Sequence, residues 1–218
     1  MKKNVLLLVV AAIMTFVACS DSSISGNQNL VRKESTNLEL FYLSMIESES
    51  YIISRETLLN FVANLNFEGD VSDINTEAKM FSWISTNLSK TGFSSLSEAQ
   101  YEWNNVVEAG SNSFQNNISF YEAINGKPQD FRDLVIQYDP ILFEPMSGCD
   151  QVCKDNFTLC AGNAATGYAD SVDATFTAYE NQEISAQTAY LDIQFAEAVF
   201  IIASQLCAGY FVECCQSN

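Results

Sequence analysis

Six cysteines crowd the last third of this 218-residue chain, at positions 149, 153, 160, 207, 214 and 215, and their spacing dictates the shape of that region. Cys153 and Cys160 are seven residues apart, two helical turns, so they share one face of a helix. Cys207 and Cys214 repeat the separation. Residues facing each other across an antiparallel helical hairpin keep a constant index sum. Cys160 with Cys207 and Cys153 with Cys214 both total 367, and Cys149 with Cys215 totals 364 at the open end. The N-terminus carries Lys2 and Lys3 followed by an almost wholly apolar run from Val5 to Val17, which is a secretory signal. Exported thiols are oxidised, and an even number of them points to disulfides rather than a metal cluster or a redox pair. The expected bridges are therefore Cys160–Cys207, Cys153–Cys214 and Cys149–Cys215. The same sum puts the turn near residues 183 and 184, beside the polar Asn181-Gln182-Glu183. Gly162 and Gly167 leave the first arm open to being one helix or two shorter ones. Closing a loop of about 47 residues stabilises a fold by ~4 kcal/mol on the chain-entropy model.

The rest of the chain reads as helix. Three prolines, Pro128, Pro140 and Pro145, cluster in one short region. Thr36-Asn37-Leu38-Glu39 has capping-box spacing. Leu38, Phe41, Met45, Ile52, Leu59 and Val62 then recur at helical intervals, as one long helix or two shorter ones. Residues 64–73 read as a loop. Met80, Trp83, Ile84 and Leu88 share a face of the next helix, which ends at Thr91-Gly92. Ser95-Leu96-Ser97-Glu98 is a second capping box, opening a helix through Ala99, Trp103 and Val107, with Gly110 as its expected C-terminal stop. Phe114, Ile118, Tyr121 and Ile124 form a further amphipathic stretch to Gly126. Pro128 suits the first turn of a helix that Asp139-Pro140 terminates. No segment alternates with period two, and no solenoid repeat is present. The fold class expected is all-α: a helical bundle followed by a disulfide-stapled antiparallel helical hairpin. The region from Phe195 to Val212 is apolar except for Glu197, Ser204 and Gln205, and it reads as a buried core helix rather than a membrane span.

The seventh cysteine, Cys19, directly follows Ala18. Phe16-Val17-Ala18-Cys19 resembles the lipobox of bacterial lipoproteins. The resemblance implies cleavage before Cys19 and its diacylation, with the chain held in the cell envelope. The expected organisation is a signal peptide at 1–18, a lipidated polar tether at 19–35, an acidic helical region at 36–145 and the Cys-rich hairpin at 146–218. Without Lys2 and Lys3 the chain has 8 basic and 27 acidic residues, a net charge of −19. Such a polyanion repels nucleic acid and anionic lipid, so the membrane partner is reached through covalent lipid rather than a basic patch.

The chain has no histidine. This removes Ser-His-Asp and Cys-His catalytic units and any zinc site with His ligands. No cofactor or metal is expected. An enzyme built from this chain would need paired carboxylates, one of them held protonated by burial. Glu98 with Glu102, and Asp130 with Asp133, have helical spacing but read as solvated faces. Asp170 and Glu197 share the hairpin sum of 367, and Asp173 lies one turn from Asp170, a set that could hold calcium if it converged. Residues 66–73 with Glu77 have some features of a calcium loop, but Val71 stands where an EF-hand needs Gly. Asp73 or Asn75 is expected to cap the following helix. Asp170-Ser171-Val172 resembles the short O-glycosylation acceptor of some secreted bacterial proteins. The leading functional reading is a non-enzymatic envelope lipoprotein that binds a protein, glycan or small ligand. The alternatives are a carboxylate-dependent glycan hydrolase and a spacer without a ligand.

Overall fold

The computed structural model describes residues 35–139 and 149–216, and these form eight α-helices with no strand among them. They are α1 (Ser35–Ile46), α2 (Glu49–Leu65), α3 (Glu77–Asn87), α4 (Leu96–Asn116), α5 (Ile118–Ile124), α6 (Pro128–Tyr138), α7 (Gln151–Glu180) and α8 (Ala186–Gln216). Short 3-10 turns cover Val71–Asp73 and Leu88–Lys90. The expected signal and tether, Cys19, and the expected boundary around Pro140 and Pro145 lie outside the described residues.

Local chemistry explains the helix ends. Ser48 separates α1 from α2: its hydroxyl donates to Met45 O at 2.7 Å and accepts from Tyr51 N at 3.3 Å. Two short helices are therefore present. The first is already helical at Ser35, so the capping box expected at Thr36 lies inside the helix. Asn66 ends α2 in the left-handed region at φ 46°, which Asn tolerates better than most side chains. Thr76, not Asp73 or Asn75, caps α3, accepting from Lys79 N at 3.2 Å. Asp70 instead caps the turn before it, accepting from Ser72 N at 2.8 Å. Ser95 caps α4 as expected, and Glu98 reaches back to Ser94 N at 2.6 Å.

Gly110 corrects the sequence reading. It does not stop α4, which continues for six more residues to Asn116. Gly110 is buried where α4 crosses α8, and a Cβ there would lie 2.2 Å from Cγ and Cδ of Gln194. The absence of a side chain leaves room for Gln194. Gln194 is itself buried, and its Oε1 accepts from Ser54 of α2 at 3.2 Å. Phe114, expected in the following stretch, belongs to this extended α4.

One continuous apolar core joins both regions of the chain. On one side Phe61 packs on Trp103 with ring centroids 5.1 Å apart, and Phe195 of α8 meets the same indole edge-on at 6.1 Å. On the other, Phe131 of α6 packs on Tyr168 of α7 at 5.3 Å, and Tyr168 stacks on Phe200 of α8 at 5.1 Å. The hairpin thus docks on the bundle through its closed half. By length and composition α8 could cross a membrane, with a mean hydropathy of 1.7 over its most apolar window. Here Ile193, Ala198, Phe200, Ile201 and Ile202 of that helix are buried in the protein core.

Candidate binding groove and buried charge cluster

The hairpin arms are α7 and α8, joined by a turn over residues 181–185. Gly162 and Gly167 do not break α7. The arms are stapled by Cys160–Cys207, Cys153–Cys214 and Cys149–Cys215, with Cα–Cα distances of 5.8, 5.9 and 5.1 Å. These are the same three pairs that the index sums select, and the distances fall within the ordinary disulfide range.

Half-cystines are small, so the surface dips where they bridge the arms. The dip is a groove of about 230 Å³ lined by two of the disulfides and by Asn156, Phe157, Tyr210 and Phe211. Phe157 and Phe211 form its floor, with ring centroids 5.1 Å apart. Tyr210 of this lining is more than half exposed, as are Val152 and Leu159 on α7. Large apolar side chains left in water around a preformed apolar trough can seat an apolar anchor from a ligand. A second, wider cavity of about 480 Å³ lies between α2 and α4, lined by Ser48, Glu49, Ser50, Ile53, Ala109, Asn112 and Asn116. Ser48 and Ser50 there already accept from Asn117 Nδ2, at 3.2 and 3.5 Å.

The second feature is a cluster that the sequence reading did not anticipate. Arg55 of α2 donates through Nη1 to Glu197 Oε1 and through Nη2 to Asp139 Oδ2, each at 2.6 Å. All three side chains are nearly buried, at 12 %, 3 % and 6 % exposure. Burial works against the Arg55 charge, but Glu197, Tyr51 and Asp139 outweigh it and raise its pKa. Tyr42, Tyr51, Tyr121 and Tyr168 surround the cluster. Burial comes first in raising all four hydroxyls above the ordinary tyrosine value, and the neighbouring carboxylates raise them further. The only signals in the sequence were a single cation between Lys33 and Lys79, and a single acid between Asp192 and Glu213 of α8.

The cluster settles where the proposed carboxylate set goes. Glu197 is bound to Arg55, and Asp173 Oδ1 accepts from Gly126 N at 2.6 Å. Asp170 is half-buried, and its pKa is raised by burial and then by Asp173. No group of three acidic or cysteine side chains comes together at metal-binding spacing among the described residues. Ser171 is buried and donates to Gly167 O at 2.7 Å, so its hydroxyl is not presented as a glycosylation acceptor in the folded chain. Glu98 has its pKa lowered by the Ser94 hydroxyl and backbone, the opposite of what a general acid needs. Glu102 accepts from Asn64 at 3.0 Å, while Asp130 and Asp133 are exposed.

Asp192 behaves differently. Burial, and secondarily Glu77, push it up to about 6 from 3.8. It lines neither cavity. Its raised pKa means that the folded chain holds this proton more tightly than the unfolded chain does. The group therefore favours folding less and less as pH rises from about 4 to 6, and the penalty is constant above that. Asp192→Asn should stabilise the protein at pH 7.5 by about 1–2 kcal/mol, allowing for partial exposure, and the gain should vanish near pH 4. Urea titrations at the two pH values test this. An equal effect at both would remove the linkage.

No family model, curated protein or solved structure matches the chain. What the fold and site define is therefore a class, an all-α bundle extended by a disulfide-stapled helical hairpin with an apolar groove at its free end.

Proposed function

We propose that the protein is an envelope lipoprotein, anchored through lipid at Cys19, whose folded part is a non-enzymatic binding module. The groove at the free end of the hairpin carries this reading. It is apolar, walled by two disulfides, and includes Tyr210, which like Val152 and Leu159 of the same end is more than half exposed. The signal sequence and the oxidised cysteines support the envelope location. The acids with spacing suited to hydrolysis are exposed, held at a helix cap or bound by Asn64, which favours binding over catalysis.

The anchor is tested by Cys19→Ser, which should move the protein from the membrane to the soluble envelope fraction. The binding role is tested by a photo-crosslinking residue at Tyr210 in intact cells, with Gln182 at the opposite end of the hairpin as control. A discrete adduct at 210 and none at 182 is expected. Folded protein that gives no adduct at 210 would overturn the reading.

A further inference from the structure

Resting on that reading, we infer that the free end of the hairpin binds a cationic amphipathic helix of a partner. Val152, Asn156 and Leu159 lie at i, i+4 and i+7 on α7, so they share one face. Leu206, Tyr210 and Glu213 repeat the spacing on α8. Asn156 and Tyr210 both line the groove, which places the two triplets on the same side of the hairpin. Two antiparallel helices with an apolar trough between them offer the surface on which a third helix packs.

Charge selects the occupant. Asp155 and Glu213 edge this face and Asp150 caps α7, against Lys154 as the one base in the whole Cys-rich region. The chain as a whole carries −17. A second copy, nucleic acid or an anionic bilayer would meet like charge, whereas a helix with basic flanks would be steered in and held. Asp150, which caps α7 by accepting from Val152 N at 3.0 Å, and Asp155, which accepts from Gln151 Nε2 at 2.8 Å, are both exposed to such flanks. The apolar anchor would come from one large side chain on the incoming helix, seated against the exposed Leu159 and Tyr210.

The test uses the intact protein in nanodiscs of zwitterionic lipid, with empty nanodiscs as the blank. Three labelled helical peptides of equal length are titrated: Leu/Lys, Leu/Gln and Leu/Glu. The Leu/Lys peptide should bind tightest. Leu159→Ser with Tyr210→Ser should weaken it about tenfold or more. These side chains are exposed, so the fold should survive, as a thermal melt checks. Asp155→Asn with Glu213→Gln should weaken it severalfold and flatten its salt dependence. Equal binding to the serine variant would reduce the effect to diffuse attraction and overturn the inference. Equal binding of the Leu/Glu peptide would remove the cationic partner while leaving a binding module. If none of the peptides binds, the partner class is wrong, and the crosslink at 210 decides the broader reading separately. Flotation of the Cys19→Ser chain with phosphatidylcholine vesicles, or a dimer abolished by the serine variant, would assign the face to lipid or to self-association and overturn the inference.

Discussion

Replacing Arg55 with alanine is expected to destabilise the protein by about 3–5 kcal/mol, because the change leaves buried charge without its counterion. Asp139 and Glu197 are almost completely removed from water, and each takes a 2.6 Å hydrogen bond from a different guanidinium nitrogen. The planar fork of Arg can bridge two carboxylates at once, which a lysine cannot reproduce as a point charge. Arg55→Lys should therefore recover only part of the loss. Arg55→Met combined with Asp139→Asn and Glu197→Gln should recover most of it, since the cost comes from uncompensated charge rather than from the loss of an unusually strong bond. Urea denaturation of the four proteins tests the scheme. A value for Arg55→Ala within about 0.5 kcal/mol of the parent would show that water reaches the cluster. The geometry also gives the cluster a structural role. Asp139 ends α6, Glu197 sits in the middle of α8 and Arg55 lies on α2. One guanidinium thus ties the bundle to the hairpin at the point where the chain leaves α6.

Reduction of the three disulfides should cost at least ~4 kcal/mol, concentrated at the free end of the hairpin. Cys160–Cys207 closes a separation of 47 residues, and the other two are nested outside it at 61 and 66. Each outer bridge closes only a short additional loop once the inner one exists. Removing Cys149–Cys215 alone should therefore cost about 1–2 kcal/mol. The closed half of the hairpin packs on the bundle through Tyr168, Phe176 and Phe200, and the free half carries the three bridges and the Phe157–Phe211 contact. Hydrogen exchange should accordingly accelerate first over residues 149–160 and 206–216 when the bridges are reduced. Uniform acceleration along α7 and α8 would mean that the hairpin unfolds as one unit. The same treatment should erase the groove, because two of its walls are disulfides.

Much of the fold was legible because helices declare themselves locally. Ser95 with Glu98, Pro128 and Asp139-Pro140 mark ends through chemistry confined to a few residues. The cysteine spacing reached further, since two pairs seven apart allow few arrangements in an antiparallel hairpin. Gly110 was misread for a physical reason. Glycine ends helices by adopting positive φ, but it also sits within them where a neighbouring side chain takes the space of a Cβ, and only the position of Gln194 separates the two uses. Thr36 shows the same limit at smaller scale: a capping-box pattern does not say whether the helix has already begun.

The site divides along the same line. Sequence supplied the six cysteines as one end of a hairpin, but not Phe157 and Phe211 or the trough they line, which depends on how closely the bridged helices approach. It presented Glu197 as one acid in an apolar helix, and even suggested Asp170 and Asp173 as its companions. It could not show that Arg55, 142 residues away, would claim it. Periodicity and covalent spacing encode which face of a helix is apolar and which cysteines can meet, because these follow from a fixed rise and rotation per residue. Which charges share a buried site, and which apolar side chains stay in water, follow from the crossing of distant helices. Only the packed structure fixes those crossings.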